Sequence, residues 1–424
     1  METLVFLMTS TFLPPQGIGG ADLHVKNLAD ELTRLGHEVH VLHSADAYGI
    51  KKGAYRARSE HVTKTTGEGG VHTYAIKTPF DLSAYVTYLL GDFAPLTKKF
   101  EKLVNKIKPD VVHHHEISLL GYRILKKVGD YLNLYTAHDH WLICQNNTLL
   151  KNGREICGGN SAATLDMECF RCALSNNRPP QIWRRTCSFR EAIREIDLLL
   201  APSNYMKIRL IESIGSLNVV VIPNFVPEPP RRKLVASGFS DFFLYAGRLE
   251  KYKGIIQLID SFRELDSKLV IAGDGPLSNR VDAMSRANGP GGRITFLGHT
   301  NHDALYSLIR DANAVIIPSV SPENAPLIAL EALSVGTPVI AMNSGGLPEI
   351  VERIDESLIF DSFAQLSRII ANFDKNRYPS DVIKGVYESY YSPRSYEEAY
   401  MNAIAKNRQV HSFGEPSRSR QLTT

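Results

Sequence analysis

Short apolar runs alternate with amphipathic stretches along most of the chain, and each run is long enough for one buried strand. LVFLMT leads into the glycine-rich turn GIGG and then into ADLHVKNLADELTRLG. There Leu23, Leu28, Leu32 and Leu35 recur at helical spacing. HEVHVLHS, VHTYAIK, DVVHHHE, NLYTAHD and DLLLAPS read as further strands, several with helical sequence between them, and the polar stretch from Ala47 to Gly70 reads as a loop. VVVIPNFV closes this series. A second series then begins: FFLYAGRL, KLVIAGD, RITFLGH, AVIIPSV and PVIAMN, each followed by helical or loop sequence. Strands that alternate with helices predict parallel, doubly wound sheets. YYSPRSYEEAYMNAIAKNR reads as a terminal helix.

The expected division is a first domain over 1–225 and a proline-rich linker over 226–238, where PEPPRRKLVASG resists regular structure. A second domain follows over 239–388, then a helix over 389–409 and a polar, disordered tail over 410–424. Two similar domains imply a cleft between them, and ligands of such sheets bind beyond the carboxyl ends of the strands.

A length of 424 residues exceeds one usual hydrophobic core and supports the two-domain reading. A net charge of +3 without a basic stripe argues against nucleic acid as a partner. No apolar run approaches the roughly 18 residues of a bilayer span, and METLVFLMT lacks the basic start of a signal peptide. Five cysteines, an odd number, point to the reducing cytoplasm.

The candidate chemistry sits at strand ends. After AVIIPSV, the segment SPENAPLIALEAL holds Glu323 and Glu331. Pro326 suits the first turn of a helix, whose free N–H groups and dipole face an anion. Glu331 then lies about 7–8 Å along the axis, so the two carboxylates reach hydroxyls on either side of a diphosphate. After FFLYAG, Arg248 offers a fork and Lys253 a point charge for phosphate oxygens. Gly273 and Gly275 after KLVI, and Gly345 and Gly346 after PVIAMN, permit close backbone approach. Gly17, Gly19 and Gly20 precede a helix, but their spacing is not the dinucleotide fingerprint, which argues against a dehydrogenase. His138 and His140 follow NLYTA and project toward the cleft. His113, His114 and His115 are consecutive in a strand, point to opposite faces, and read as structural.

With these motifs in this order, the chain resembles the retaining glycosyltransferases of the GT-B group, family four, over nearly its whole length. The glycine-rich first turn, G-R-L-x-x-x-K-G, A-G-D-G-P, E-x7-E and G-G-x-x-E all stand in family order. The resemblance implies an α/β GT-B fold, two Rossmann-like doubly wound domains facing a central cleft. It implies a hexosyltransferase moving sugar from a UDP- or GDP-linked donor to a glycan or lipid-linked acceptor in polysaccharide or glycolipid assembly. By resemblance, His138, Glu323, Arg248 and Lys253 are catalytic: the two cations hold the diphosphate, Glu323 contacts the sugar hydroxyls, and His138 contacts the sugar near the reacting centre. Glu331 would bind the ribose. Gly19 and Gly20, Gly273, Asn324, Ala325, Pro326 and Leu327 would complete the donor site, with Gly298 and His299 near the base. The terminal helix would cross back onto the first domain. No D-x-D motif occurs, so catalysis is expected to need no divalent ion. The alternatives are a sugar phosphorylase or epimerase of the same fold, or a non-catalytic nucleotide-sugar scaffold.

An insert at 144–187 exceeds the family core. Cys144, Cys157, Cys169 and Cys172 suit either a structural zinc or four reduced, partly buried thiols. Trp141 and Trp183 near its ends suit sugar stacking or core packing. Finally, LTKKFEKLVNKIK pairs Leu96, Phe100, Leu103 and Ile107 with four lysines. That pattern fits a helix covering a sheet or a peripheral contact with anionic membrane.

Overall fold

The computed structural model describes residues 2–15, 17, 19–47, 61–67, 69–78, 82–151, 155–157, 167–215, 217–230, 235–287 and 292–412. Two sheets, parallel except for one edge strand of the first, carry the architecture. The first contains β1 (Val5–Thr9), β2 (Glu38–Ser44), β3 (His61–Thr66), β4 (His72–Lys77), β5 (Val111–His114) and β6 (Leu132–Thr136). A small hairpin, β7 (Leu150–Lys151) and β8 (Glu155–Ile156), stands apart, and β9 (Leu198–Ala201) and β10 (Val219–Val221) complete the first sheet. Its order is β10-β9-β6-β5-β1-β2-β4-β3. The second sheet holds β11 (Phe242–Ala246), β12 (Lys268–Ala272), β13 (Ile294–Gly298), β14 (Val315–Ile317), β15 (Val339–Met342) and β16 (Ile359–Phe360), in the order β13-β12-β11-β14-β15-β16.

Both orders reverse direction beside their first strand, between β1 and β5 and between β11 and β14. At such a switch point neighbouring loops leave in opposite directions and open a crevice. Their strands are almost wholly buried, as in β11 and β14, because helices cover both faces. Side chains of the second domain, among them Phe242, Leu269, Leu330 and Ile340, form one core. The first sheet has a core on each face, around Phe100 and Trp183 on one side and around Val25 and Leu28 on the other.

The segment 47–70 is not wholly a loop. β3 pairs antiparallel with β4 inside it, but residues 62–66 are exposed, so this edge strand carries no apolar alternation to read. Residues 48–60 of that stretch lie outside the described residues. The helix Ala94–Ile107 buries Leu96, Phe100 and Leu103 in the first-domain core, with Ile107 packed against it. Its apolar stripe is therefore spent on the sheet, and only the lysine-bearing side remains outward. No described helix is long and apolar enough to cross a membrane.

The terminal helix spans Pro393–Ser412, starting after 389 and passing 409; residues 413–424 of the predicted disordered tail lie outside the described residues, as do 231–234 of the linker. Tyr396, Tyr400 and Ile404 join the first-domain core, and Tyr400 Oη meets His113 Nδ1 at 2.8 Å. A second tie uses the G-G-x-x-E motif. The Glu349 carboxylate accepts from the backbone N–H groups of Asn204 (2.8 Å) and Tyr205 (2.7 Å), at the start of the helix Asn204–Ile214. An anion there satisfies orphan donors and the positive helix end together.

Candidate active site

The loop after β14 runs from Pro318 to the helix Leu327–Val335, and it carries the first carboxylate. Glu323 pairs with the Lys253 ammonium and accepts from Ser319 Oγ at 2.7 Å. Burial by itself pushes the Glu323 carboxyl up, but the Lys253 charge and these hydrogen bonds bring it below its ordinary value. Lys253 keeps donors beyond the one given to Glu323. The loop is clamped by β15's continuation. Glu323 forms a parallel bridge with Gly345, and Gly346 N–H donates to Glu323 C=O at 2.6 Å.

Pro326 is the N-cap of the Leu327–Val335 helix, one position before the expected first turn. The physical role is unchanged: no side chain caps this end, so first-turn N–H groups face the cleft. Eight of the nine helix residues, including Glu331, are buried. Among the described residues Glu331 meets only the His302 imidazole at ion-pair distance, 3.9 Å, which burial keeps below its ordinary value, and burial pushes the Glu331 carboxyl up to about 7.

Two adjoining cavities open between the domains. One of about 340 Å³ is lined by Gly19, Gly20, His138, Arg248, Lys253, Glu323 and neighbours including Asn324, Ala325, Pro326 and Leu327. The other, about 570 Å³, is lined by Gly17, Gly19, Gly20, Arg248, Gly273, His299, Leu327 and Glu331, among others. Arg248 borders both, and in this structure its guanidinium pairs with Glu250. Gly298 lines neither; it shapes the turn, at φ +70°, and its C=O accepts from Gly273 N–H at 2.8 Å. Gly273 is dictated by space, since a Cβ there would meet Gly247 O at 1.9 Å. Asn324 spends its amide on the first domain, donating to His138 C=O at 2.7 Å.

His138 faces the smaller cavity and sits in a nest of imidazoles. His115 Nδ1 lies 2.9 Å from His138 Nε2, and the rings of His24 and His138 are 4.9 Å apart. Burial pushes His138 down to about 3 and His24, His113 and His115 well below the ordinary value, so all four are neutral at pH 7. Among the described residues His115 Nε2 is buried and meets no hydrogen-bond partner. An unpaired lone pair there costs less than an orphaned N–H, which assigns the His115 proton to Nδ1 and makes it the donor to His138 Nε2. His138 then carries its own proton on Nδ1. The ring nitrogens of His24, His115 and His138 lie within 4.8 Å of one another. Two nitrogens on one zinc ion stand about 3.3 Å apart, so the 2.9 Å contact is a hydrogen bond between two spent groups.

The family models match in tandem. Glycosyltransferase Family 4 covers residues 18–228 and Glycosyl transferases group 1 covers residues 229–384. The chain is a family 4 glycosyltransferase of GT-B fold. It is 27% identical over 398 residues to the uncharacterized glycosyltransferase MJ1607 of Methanocaldococcus jannaschii, spanning 89% of this chain and 92% of that one. Sucrose-phosphate synthase of Thermosynechococcus elongatus shares the fold at TM-score 0.67 and 17% identity, covering 95% of this chain and all of that one (100%). The Anabaena protein HepE in complex with UDP and glucose superposes at TM-score 0.60 with 16% identity, over 95% and 100% of the two chains.

Several features of this glycosyltransferase escaped the sequence reading. Glu116, directly after the three histidines, lines the smaller cavity; its Oε1 accepts from Ser118 N–H at 3.1 Å, while Oε2 is buried and meets no hydrogen-bond partner among the described residues. Burial, with the Asp139 charge, pushes it up to about 7. The signal was the run HHHE, in which β5 orients alternate residues and delivers its end to the switch point. The tryptophans do not face sugar. Trp141 and Trp183 are 2% and 6% exposed and enclose Arg184 with Phe189 in the core. His140 is likewise buried, against Tyr205.

Proposed function

We propose that this glycosyltransferase moves a hexose from a uridine or guanosine diphosphate sugar to a hydroxyl of a glycan or lipid-linked acceptor, with retention of configuration. The observation that carries the reading is the Lys253–Glu323 pair at the mouth of an uncapped helix, inside a cavity that continues to the buried Glu331. The diphosphate lies against the helix end between Arg248 and Lys253, the sugar turns toward Glu323 and His138, and the nucleoside fills the larger cavity with its ribose on Glu331. The UDP and glucose of the HepE complex support uridine as the first donor to test.

As the bond from the anomeric carbon to phosphate oxygen breaks, its electrons pass to the diphosphate. Arg248, Lys253 and the helix end stabilise that charge where it forms. The acceptor oxygen bonds to the anomeric carbon on the same face, and its proton goes to the departing phosphate oxygen. Glu323 is held by Lys253 and Ser319 and serves as a hydrogen-bond acceptor to sugar hydroxyls, not as a nucleophile. His138, with its proton on Nδ1, donates to a sugar oxygen. Glu116 accepts from a second, non-reacting hydroxyl of the acceptor. No divalent ion is needed for the step, and the outward lysines of Ala94–Ile107 suit peripheral contact with an anionic membrane bearing a lipid-linked acceptor.

The test is a donor panel scored for nucleoside-diphosphate release with and without lipid-linked acceptors, followed by NMR of the product's anomeric proton. Release that depends on acceptor, with retained configuration and no stimulation by added magnesium or manganese, is the expected result; an inverted product rejects the mechanism.

Donor affinity should also depend on pH. Glu331 accepts a pair of ribose hydroxyls best when ionised, and burial pushes its carboxyl up to about 7 before donor binds. Below that pH, binding must expel a proton, and affinity falls by up to about tenfold per pH unit. Glu331→Gln should flatten this dependence and weaken binding at pH 8. Glu116 titrates in the same range, so a slope surviving in Glu331→Gln would move the effect to Glu116. For folding the sign is opposite: a raised carboxyl stabilises the native state below its unfolded value and loses that contribution as pH rises through about 7.

A further inference from the structure

We propose that Cys144, Cys157, Cys169 and Cys172 bind one zinc ion that fastens the insert to the wall of the active site. None of the four is in a disulfide, and the chain brings their segments to one place. The β7–β8 hairpin folds back so that Cys157 N–H donates to Leu149 C=O at 2.7 Å. The Cys144 sulfur accepts from the backbone N–H groups of Asn146, Thr148 and Leu149. Burial outweighs these donors and pushes the Cys144 thiol up, so the sulfur keeps its proton until a metal displaces it. Cys169 and Cys172 are three apart on the helix Met167–Ser175, hence on one face. Cys172 Sγ lies 3.6 Å from Leu150 C=O and 3.3 Å from Asn146 Nδ2, and Gln145 donates to Cys169 C=O. Every cysteine of the set thus contacts the stretch 144–150.

A second observation is independent of the sulfurs. Among the described residues, the part of the insert from Glu155 to Asn177 has almost no core of its own. Its helix buries only Ala173 and leaves Met167, Phe170 and Leu174 at 59%, 39% and 53% exposure, and its hairpin strands have two residues each. A segment that cannot bury enough apolar surface needs a staple. No three of the sulfurs yet lie within 4.8 Å of one another, whereas sulfurs on a tetrahedral zinc are about 3.8 Å apart. Binding draws them in and releases the thiol protons. Four thiolates in this spacing favour zinc over harder ions.

The consequence reaches the chemistry. Between Cys144 and Leu149, Asn147 Nδ2 donates to Asp139 at 3.0 Å, next to His138, and Thr148 C=O accepts from Ser321 Oγ at 3.3 Å, two residues before Glu323. The ion would hold the loop that touches both halves of the site.

The full-length chain, purified without chelator, is expected to contain about one zinc by elemental analysis. Thiol titration of the native protein should find Cys187 reactive and the other four protected until chelator is added. Cys169→Ser/Cys172→Ser should lose the metal, and Cys187→Ser should keep it. Zinc below about a tenth of an equivalent, iron in its place, or five equally reactive thiols before chelation would overturn the assignment. Neither readout involves donor or acceptor, so it fails or stands separately from glycosyl transfer.

Discussion

Lys253→Ala is expected to lower transfer about 10³-fold while leaving the chain folded. In the proposed donor site the ammonium faces the leaving diphosphate and is held by Glu323 before donor arrives. Removing it deprives the transition state of a preorganised cation and frees Glu323 to shift. Glu323 without Lys253 keeps its burial and loses the opposing charge, so its carboxyl titrates upward and it accepts sugar hydroxyls less well near neutrality. The stability lost with a partly exposed pair is about 1 kcal/mol. It belongs to pH above the ordinary carboxyl value, because a depressed carboxylate stabilises there and loses the effect as pH falls through its folded value. Lys253→Arg is not a neutral control, since a planar fork replaces a point charge. Glu323→Ala should abolish turnover in the same assay, through the sugar and not the phosphate. Steady-state kinetics with the best donor, beside a thermal melt, separate the cases. Wild-type turnover in Lys253→Ala would remove the phosphate assignment.

The α/β alternation was legible because buried parallel strands are continuous apolar runs, as in AVIIPSV and KLVIAGD. Part of the cleft lining was legible for a related reason: Arg248, Gly273 and His299 follow such runs closely, so the strand ends carry them to the crevice. β3 was not legible, because an edge strand with exposed faces needs no apolar alternation. Pairings across the domains were also hidden. Glu349 reads as one acid in a short motif, and nothing local says that it caps a helix of the other domain at Asn204. His24 looked like one residue in an amphipathic helix, yet it closes a nest with His115 and His138, residues more than ninety positions away in the chain. Long-range register supplies these contacts, and hydrophobic periodicity carries no record of it. The tryptophans left two readings open for a chemical reason, since aromatic rings suit sugars and cores equally well; the structure places both in the core.

Gly345→Ala should be nearly as damaging as the loss of Lys253, although it alters no charge. Gly345 holds φ +67°, where a side chain is strained, and a Cβ there would meet Glu323 O at 2.2 Å and Glu323 N at 2.6 Å. The atoms in the way are backbone, so no rotamer change can relieve the overlap; the 321–326 loop must move. Gly346 is under the same constraint from Asn324 O at 2.2 Å. A displacement of about 1 Å at the carboxylate is enough to cost about 10²-fold in rate, and the forced backbone shift costs about 1–3 kcal/mol of stability. The same substitution at Gly385 gives the opposite sign. That glycine is inside the helix Ser380–Tyr390 with nothing within 4 Å of its added Cβ. Alanine there should stabilise by about 0.5–1 kcal/mol and leave the rate alone. Paired melts and kinetics on the two variants test whether the glycine pair positions Glu323. Normal kinetics in Gly345→Ala would mean that the loop tolerates displacement, and with it that Glu323 does not need its observed place.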